Sequence, residues 1–415
     1  MADDSATHRA TSRSFDRRTA LKSIGVAATL GTAGCLGGGG GGGDGDGNTL
    51  RIGQTLGLSG PVASLDEQNQ KGVKTGLAYA RDNGFNLQGD DAEIEHITYD
   101  NEGDPEKARQ QARRLVDQDD VHVLLTGTGS TYGSAVAPVA HDEEVPFIPY
   151  SSYTPTIAEL NSEWVFVPAP RITQYGKGFL ELMALQSNPP QKVGVLKENT
   201  VVGEEMAPAM VEYADDRGFD FDVSIIDTYD RGKDMTSSLQ KAQNANVDAL
   251  ANAGHYKGDV AVARGTIQQG MDLKAKMAGV SISLDVFLKD VKDAANGMVG
   301  YTGFHPGAKT PLSDELVGRY EQDNAVPGWH DGAGFTQTLL ATETAKEAGS
   351  LDKQDIIDTL HDGIWPTPMG TLDFDMAGKP SGLNHLTVQV QGGDRELVYP
   401  IDQRTADDFI YPLSS

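Results

Sequence analysis

Two clusters of small hydroxyl-bearing residues carry the clearest chemistry in this 415-residue chain. Gly127-Thr128-Gly129-Ser130-Thr131-Tyr132-Gly133 follows the apolar run 121–125, and Ser151-Ser152-Tyr153-Thr154 follows Val145-Pro146-Phe147-Ile148. A small turn between a strand and a helix presents backbone N–H groups and hydroxyls at a positive helix end. That arrangement suits a carboxylate or another polar ligand group. Taken singly, either cluster also reads as ordinary helix capping by Ser and Thr. Two of them after neighbouring strands make a binding surface an equal reading.

Other chemistries lack their residues. The glycine spacing from Gly127 is one residue too long for a dinucleotide loop, and Tyr150 stands about where the ribose-binding acid belongs. No Gly-Lys-Ser/Thr triplet exists for a phosphate loop, and Ser59 lacks the glycine spacing of a nucleophile elbow. The 9 His form no His-x-x-x-His pair and there is 1 Cys, so neither a metal centre nor a disulfide framework is expected. No local acid, base and nucleophile converge. The chain is therefore expected not to be an enzyme and to need no cofactor.

These clusters sit in a β-then-α alternation. Leu50-Arg51-Ile52 starts a strand, and Val73, Leu77 and Ala80 share one face of the next helix. Asp104-Pro105-Glu106 opens another helix with a capping carboxylate, Pro at the first position and acid at the positive dipole end. Strands are expected at 192–196, 221–229, 247–253, 275–280 and 298–303. Helices are expected near 173–186 and at 203–217, 235–245, 257–269, 311–323, 333–348 and 353–361. Such alternation predicts an α/β fold of doubly wound parallel sheets, with ligands at the carboxyl ends of the strands.

Charge narrows the partners. The 60 Asp+Glu against 34 Lys+Arg give a formal −26, which argues against nucleic acid. So much unmatched acid reads as a surface adapted to very high salt; the alternative is an acidic protein kept soluble by its charge.

Residues 1–34 read as an export label. Arg17-Arg18 precede a weakly apolar stretch, 24–34, that is too short to span a bilayer, as in a twin-arginine signal. Thr32-Ala33-Gly34-Cys35 resembles a lipobox, which makes Cys35 the lipid anchor. The segment 35–48, with an unbroken glycine run at 37–43, is a flexible tether. Removing 1–34 leaves 29 basic and 57 acidic residues, a formal −28. Together these features resemble haloarchaeal lipoproteins exported by the twin-arginine route.

From residue 50 to about 392 the order of motifs resembles the branched-chain amino-acid-binding group of type I periplasmic solute-binding proteins, which serve ABC importers. The resemblance rests on Leu58-Ser59-Gly60-Pro61, Tyr99-Asp100 with Asp104-Pro105-Glu106, and the two hydroxyl clusters. It extends through Trp164-Val165-Phe166-Val167-Pro168 to Gly370-Thr371-Leu372-Asp373-Phe374-Asp375. It implies two α/β lobes joined by a hinge, lobe 1 from 49–169 with 304–370 and lobe 2 from 170–303 with 371–415. A small polar solute, an amino acid first of all, would be enclosed between them and handed to the permease transmembrane subunits. A monomer on the outer face of the membrane is implied.

By the same resemblance, Ser130, Ser151, Ser152 and Tyr153 match the positions that hold an α-carboxylate. Tyr153 stands where Thr is common, so it either stacks on the ligand or shortens it. Leu65 and Trp329 fall at apolar contact positions, although Trp329 also reads as a core residue of lobe 1. Lobe 2 departs from the family pattern: Val202 replaces a Tyr, His255 an aromatic, and Ser281 stands nearest the acid that pairs with a ligand ammonium. Either Asp285 takes that role, or the ligand is an amide, urea or small carboxylate without an α-ammonium. A sensor of the same fold and a secreted α/β enzyme are the rival readings.

Overall fold

The computed structural model describes residues 48–413 apart from Pro61, Ser151, Ser152 and Asn384. The export label, the tether and Cys35 lie outside the described residues. The first lobe begins with β1 (Thr49–Leu56), α1 (Ala63–Asp82), the short ribbon β2 (Asn86–Leu87) and β3 (Asp90–Asp91), and β4 (Glu93–Asp100). It continues through α2 (Pro105–Asp117), β5 (Val123–Thr126), α3 (Ser130–Asp142), β6 (Phe147–Pro149) and α4 (Pro155–Leu160). Its parallel sheet has the order β4-β1-β5-β6. All four residues of β5 are buried, as expected of a parallel strand covered on both faces. Asp104 caps α2 as its residue type requires, accepting from the N–H of Glu106 at 2.8 Å and of Lys107 at 3.1 Å.

The second lobe runs through α5 (Lys177–Ala184), β7 (Lys192–Glu198), α6 (Val201–Arg217), β8 (Asp222–Tyr229) and α7 (Thr236–Asn244). Then follow β9 (Ala249–Ala253), α8 (Tyr256–Gln268), β10 (Ala275–Met277), α9 (Asp285–Val291) and β11 (Met298–Thr302). The chain returns to lobe 1 for α10 (Ser313–Glu321), α11 (Trp329–Ala348), α12 (Lys353–Asp362), β12 (Trp365–Thr367), β13 (Gly370–Phe374) and β14 (Pro380–Leu383). It ends in lobe 2 as β15 (Leu386–Gln391) and β16 (Asp394–Tyr399). These two complete a seven-stranded sheet of order β16-β15-β11-β10-β9-β7-β8.

The last crossing differs from the sequence reading, which ends lobe 1 at 370. β13 and β14 pair with β12, and Leu372 and Phe374 are buried in one core cluster with Leu50, Ile52 and Leu125. The chain leaves lobe 1 only between β14 and β15. Two antiparallel strands, β15 and β16, were also not expected, and β10 is shorter than 275–280. The N–H of Gly279 turns aside to the carboxylate of Asp259, which ends the strand.

One helix organises lobe 1. In α11 every residue from Trp329 to Thr342 is buried, so no amphipathic period marks it. It lies against α1 without side-chain spacers: a methyl group on Gly72 would overlap the Asp331 carbonyl, and one on Gly334 the Asn69 carbonyl. A buried amide chain runs beneath. Gln54 donates to Asn69 at 2.9 Å, Asn69 to Gln337 at 3.0 Å, and Gln337 to the carbonyls of Thr126 at 3.0 Å and Ile148 at 2.7 Å. No described helix is long and apolar enough to cross a membrane.

Candidate functional site

Both sheets reverse direction of growth once. From β1 the chain steps to β4 on one side and then to β5 on the other; from β7 it steps to β8 and then to β9. At each reversal the two following loops diverge and leave a crevice at the carboxyl ends of the strands, where ligands of open α/β sheets bind. Among the described residues, two surface depressions of about 510 and 480 Å³ lie instead against the C-terminal half of α6 and the start of β8. That is the amino-end side of the sheet.

In lobe 1 the crevice is held by Asp66, in the first turn of α1. Its fully buried carboxylate accepts the Gly57 N–H at 2.6 Å and the Thr128 N–H at 2.5 Å, tying the loop after β1 to the loop after β5. A methyl group on Gly127 would overlap this carboxylate, so only glycine admits it. The next N–H, of Gly129, donates to the Tyr150 carbonyl at 3.2 Å. Burial raises the Asp66 pKa, and the N–H groups of Thr128 and Gly57 oppose it. The backbone donors at Thr128 and Gly129 are therefore engaged within the protein.

Lobe 2 builds its crevice with an analogous device. Asp259, in the first turn of α8, is fully buried and accepts from the Asn252 amide at 2.7 Å, the Gly279 N–H at 2.6 Å and the Ser281 N–H at 3.0 Å. Burial lifts its pKa to about 6 against those hydrogen bonds. Beside it, Glu198 ends β7 with 1 % exposure. Its Oε2 accepts from His255 Nδ1 and from the Thr200 hydroxyl, while Oε1 is buried with no hydrogen-bond partner. Burial pushes this carboxyl pKa up, but the hydrogen bond and charge of His255, with Arg231, turn the net shift downward. Glu198 is accordingly an anion with one unused oxygen.

Aromatic side chains join the lobes. Trp329, at the start of α11, meets Tyr301 of β11 at 5.1 Å between ring centroids and Tyr175 at 6.1 Å, while Tyr175 and Tyr301 stack at 4.3 Å. Tyr150 and His330 also pack against the indole, and the Tyr150 hydroxyl lies 2.9 Å from His330 Nδ1. Burial lowers the His330 pKa to about 4 and raises those of Tyr150 and Tyr301 well above 10, so all three are neutral. His330 Nε2, the Tyr301 hydroxyl and Trp329 Nε1 are buried without a hydrogen-bond partner.

The expected site residues divide. Ser130 opens α3, half-buried, at the lobe 1 crevice; Trp329 and half-buried His255 sit at the seam and the lobe 2 crevice; Leu65 is half-buried beside Asp66. Ser281 is fully buried, with its N–H on Asp259 and its hydroxyl unpartnered. Val202 is half-buried against the lobe 2 core. Tyr153 is buried in the lobe 1 core, its hydroxyl donating to the Ala377 carbonyl at 3.3 Å with Arg171 over its ring. Asp285 is exposed and paired with Arg395 at 2.9 Å. Ser151 and Ser152 lie outside the described residues. Asp66, Glu198, Tyr150, Tyr175, Tyr301 and His330 were not anticipated. Only the position of Asp66 and Glu198 relative to the sheet reversals would have flagged them. No group of three His, Cys, Asp or Glu among the described residues could hold a metal ion.

A family model described as periplasmic binding protein matches residues 49–394. The chain belongs to the periplasmic binding protein family. Solved structures agree on the fold. A leucine-binding protein from Thermotoga maritima superposes with a TM-score of 0.72 at 18% identity, covering 85% of this chain and 99% of that one. A branched-chain amino acid substrate-binding protein from Streptococcus pneumoniae, in complex with isoleucine, gives 0.71 at 18% identity, covering 85% and 100%. A solute-binding protein of an ABC transporter from Rhodopseudomonas palustris, in complex with 3,4-dihydroxybenzoic acid, gives 0.69 at 20%, covering 88% and 98%. The chain thus shares the two-lobed type I fold of these binding proteins.

Proposed function

We propose that this periplasmic binding protein captures a small polar solute between its lobes and delivers it to the transmembrane subunits of an ABC importer. The observation that carries this reading is the pair of reversal crevices, one per lobe, joined by the seam of Tyr150, Trp329, Tyr175 and Tyr301. Closure would be a hinge motion at the three crossings, driven by contacts that both lobes make only together. Cys35 would tether the protein to the outer face of the membrane after twin-arginine export. Lobe 1 would comprise 49–169 with 304–383 and lobe 2 170–303 with 386–413, a division supported at the last crossing by the pairing of β13 with β12 and of β15 with β11.

An amino acid is the first ligand class, on the motif order and the bound isoleucine of one structural neighbour. An amide or urea is the second, favoured by Asp66 on the donors of the 127–130 loop. The test is a screen by thermal shift and calorimetry in multimolar KCl, with small-angle scattering on any hit. A solute that raises the melting temperature and compacts the molecule, without being consumed, supports binding and delivery. A solute converted to product overturns that reading in favour of an enzyme.

A further inference from the structure

Two oppositely charged side chains of lobe 2 each keep a buried atom without a hydrogen-bond partner. Glu198, at the end of β7, accepts at Oε2 from His255 Nδ1 and from the Thr200 hydroxyl, while Oε1 accepts nothing. Burial disfavours its charge, but the hydrogen bond and charge of His255 prevail and keep it an anion. Arg395, in β16, donates from Nε to the Ile282 carbonyl at 2.7 Å and from Nη1 to Asp285 at 2.9 Å. Its Nη2 donates to nothing. A buried ionic group left unmet costs free energy until a partner reaches it, and the strongest partner carries the opposite charge.

Both groups stand at the carboxyl-end rim of the lobe 2 sheet. β7, β9 and β10 run parallel and so end at one edge, and Ile282 and Asp285 lie in the segment after β10. The charge of Arg395 also reaches His330 of lobe 1. Between the two poles the rim is low. A methyl group on Gly279 would overlap the Gly254 carbonyl, so these two backbones touch without side chains. The Ser281 hydroxyl beside them is buried and unpartnered. Two strand steps, from β7 to β9 to β10, set the poles about 10 Å apart. A charge-assisted hydrogen bond of about 2.8 Å at each end leaves about 5 Å between the charged atoms of the ligand. An α-amino acid carries both of its charged groups on one carbon and is too short to meet both poles.

We propose that the cleft takes a solute with an ammonium and a carboxylate at opposite ends of a short chain, an ω-amino acid or a dipeptide. The ammonium meets Glu198, and the carboxylate meets Arg395, which Asp285 holds in place. This assignment rests on the reading that a small solute is captured between the lobes.

Calorimetric titration of the full mature protein in multimolar KCl tests it with a length series: alanine, γ-aminobutyrate, δ-aminovalerate, ε-aminocaproate and glycylglycine. Valerate and pentylamine, which keep one pole each, are the controls. The best of the longer members should bind at least about tenfold more tightly than alanine and than either control. Glu198→Gln should remove the advantage of δ-aminovalerate over valerate, and Arg395→Gln its advantage over pentylamine. Melting temperatures identify a variant that fails to fold, and the wild-type series then decides alone. Alanine or a one-pole control binding as tightly as the longer members, or no binding by any member, would overturn the two-pole assignment. Native mass spectrometry of the protein as purified separates that failure from failure of the binding reading. A co-purified solute lacking either pole sinks the assignment but keeps the protein a binding protein, whereas conversion of a bound member to product overturns capture and delivery.

Discussion

At the scale of single residues, the molecule stores part of its sensitivity to pH in two histidines, half-buried His96 and buried His330. His96 and His330 are both held neutral by burial, with pKa values lowered from 6.5 to about 4. The unfolded chain takes up their protons first as the pH falls, so their contribution to stability is complete above 6.5 and is lost between 6.5 and about 4. Each carries about 3 kcal/mol at the limit, from the size of the shift. Asp259 acts in the opposite sense: its raised pKa makes the folded state gain relative stability as pH falls from about 6 toward 3.8. Wild-type protein should therefore lose melting temperature between pH 6.5 and 4.5, and His96→Gln should flatten that loss. Parallel curves for the two proteins would remove His96 from the account.

At the scale of elements, two helices are fastened by their first turns. Asp66 on α1 and Asp259 on α8 each bind backbone N–H groups of a loop from another strand, so helix placement and loop shape are set together. Gly127→Ala would drive a methyl group into the Asp66 carboxylate, with an expected destabilisation of about 1–3 kcal/mol. Denaturant titration reads this directly, and an unchanged midpoint would show that the loop shifts freely. Periodicity and caps made most of these elements legible: α2 starts at the capping Asp104, and α12 occupies 353–362 against an expected 353–361. The start of α11 was four residues early because its buried circumference hides any period. β15 alternates apolar and polar residues over Leu386–Gln391 and was missed despite that signal; β15 pairs with β11 and β16 pairs only with β15. In the site, a hydroxyl cluster such as Thr128-Gly129-Ser130 is visible in sequence, but its Thr128 N–H being engaged by Asp66, 62 residues away, is a tertiary fact.

At the scale of the whole molecule, the acidic composition and the amino-terminal segment carry the proposal of a membrane-tethered protein in high salt. A formal −26 on 415 residues suits solvent of high ionic strength, where screening shortens the reach of like-charge repulsion. Salt removal should lower the melting temperature steeply, in keeping with that reading. Anchoring is tested at one atom: Cys35→Ser should move the protein from the membrane fraction into the medium, and unchanged fractionation would end the lipoprotein proposal.

The three crossings bear on how the chain acquires its form. The hydrogen bond from Asn69 to Gln337 spans 268 residues, and β11 gains its outer neighbour only when residues 386–389 have been made. Neither lobe is a contiguous stretch of polypeptide: lobe 1 is complete only once β14 has been made, and lobe 2 only after β15 and β16. Contacts this distant along the chain slow folding and keep sheet edges open meanwhile. A ribosome-bound fragment ending near 380 would hold lobe 2 one hairpin short of completion, and it would remain the aggregation-prone species of this protein until its final strands arrive.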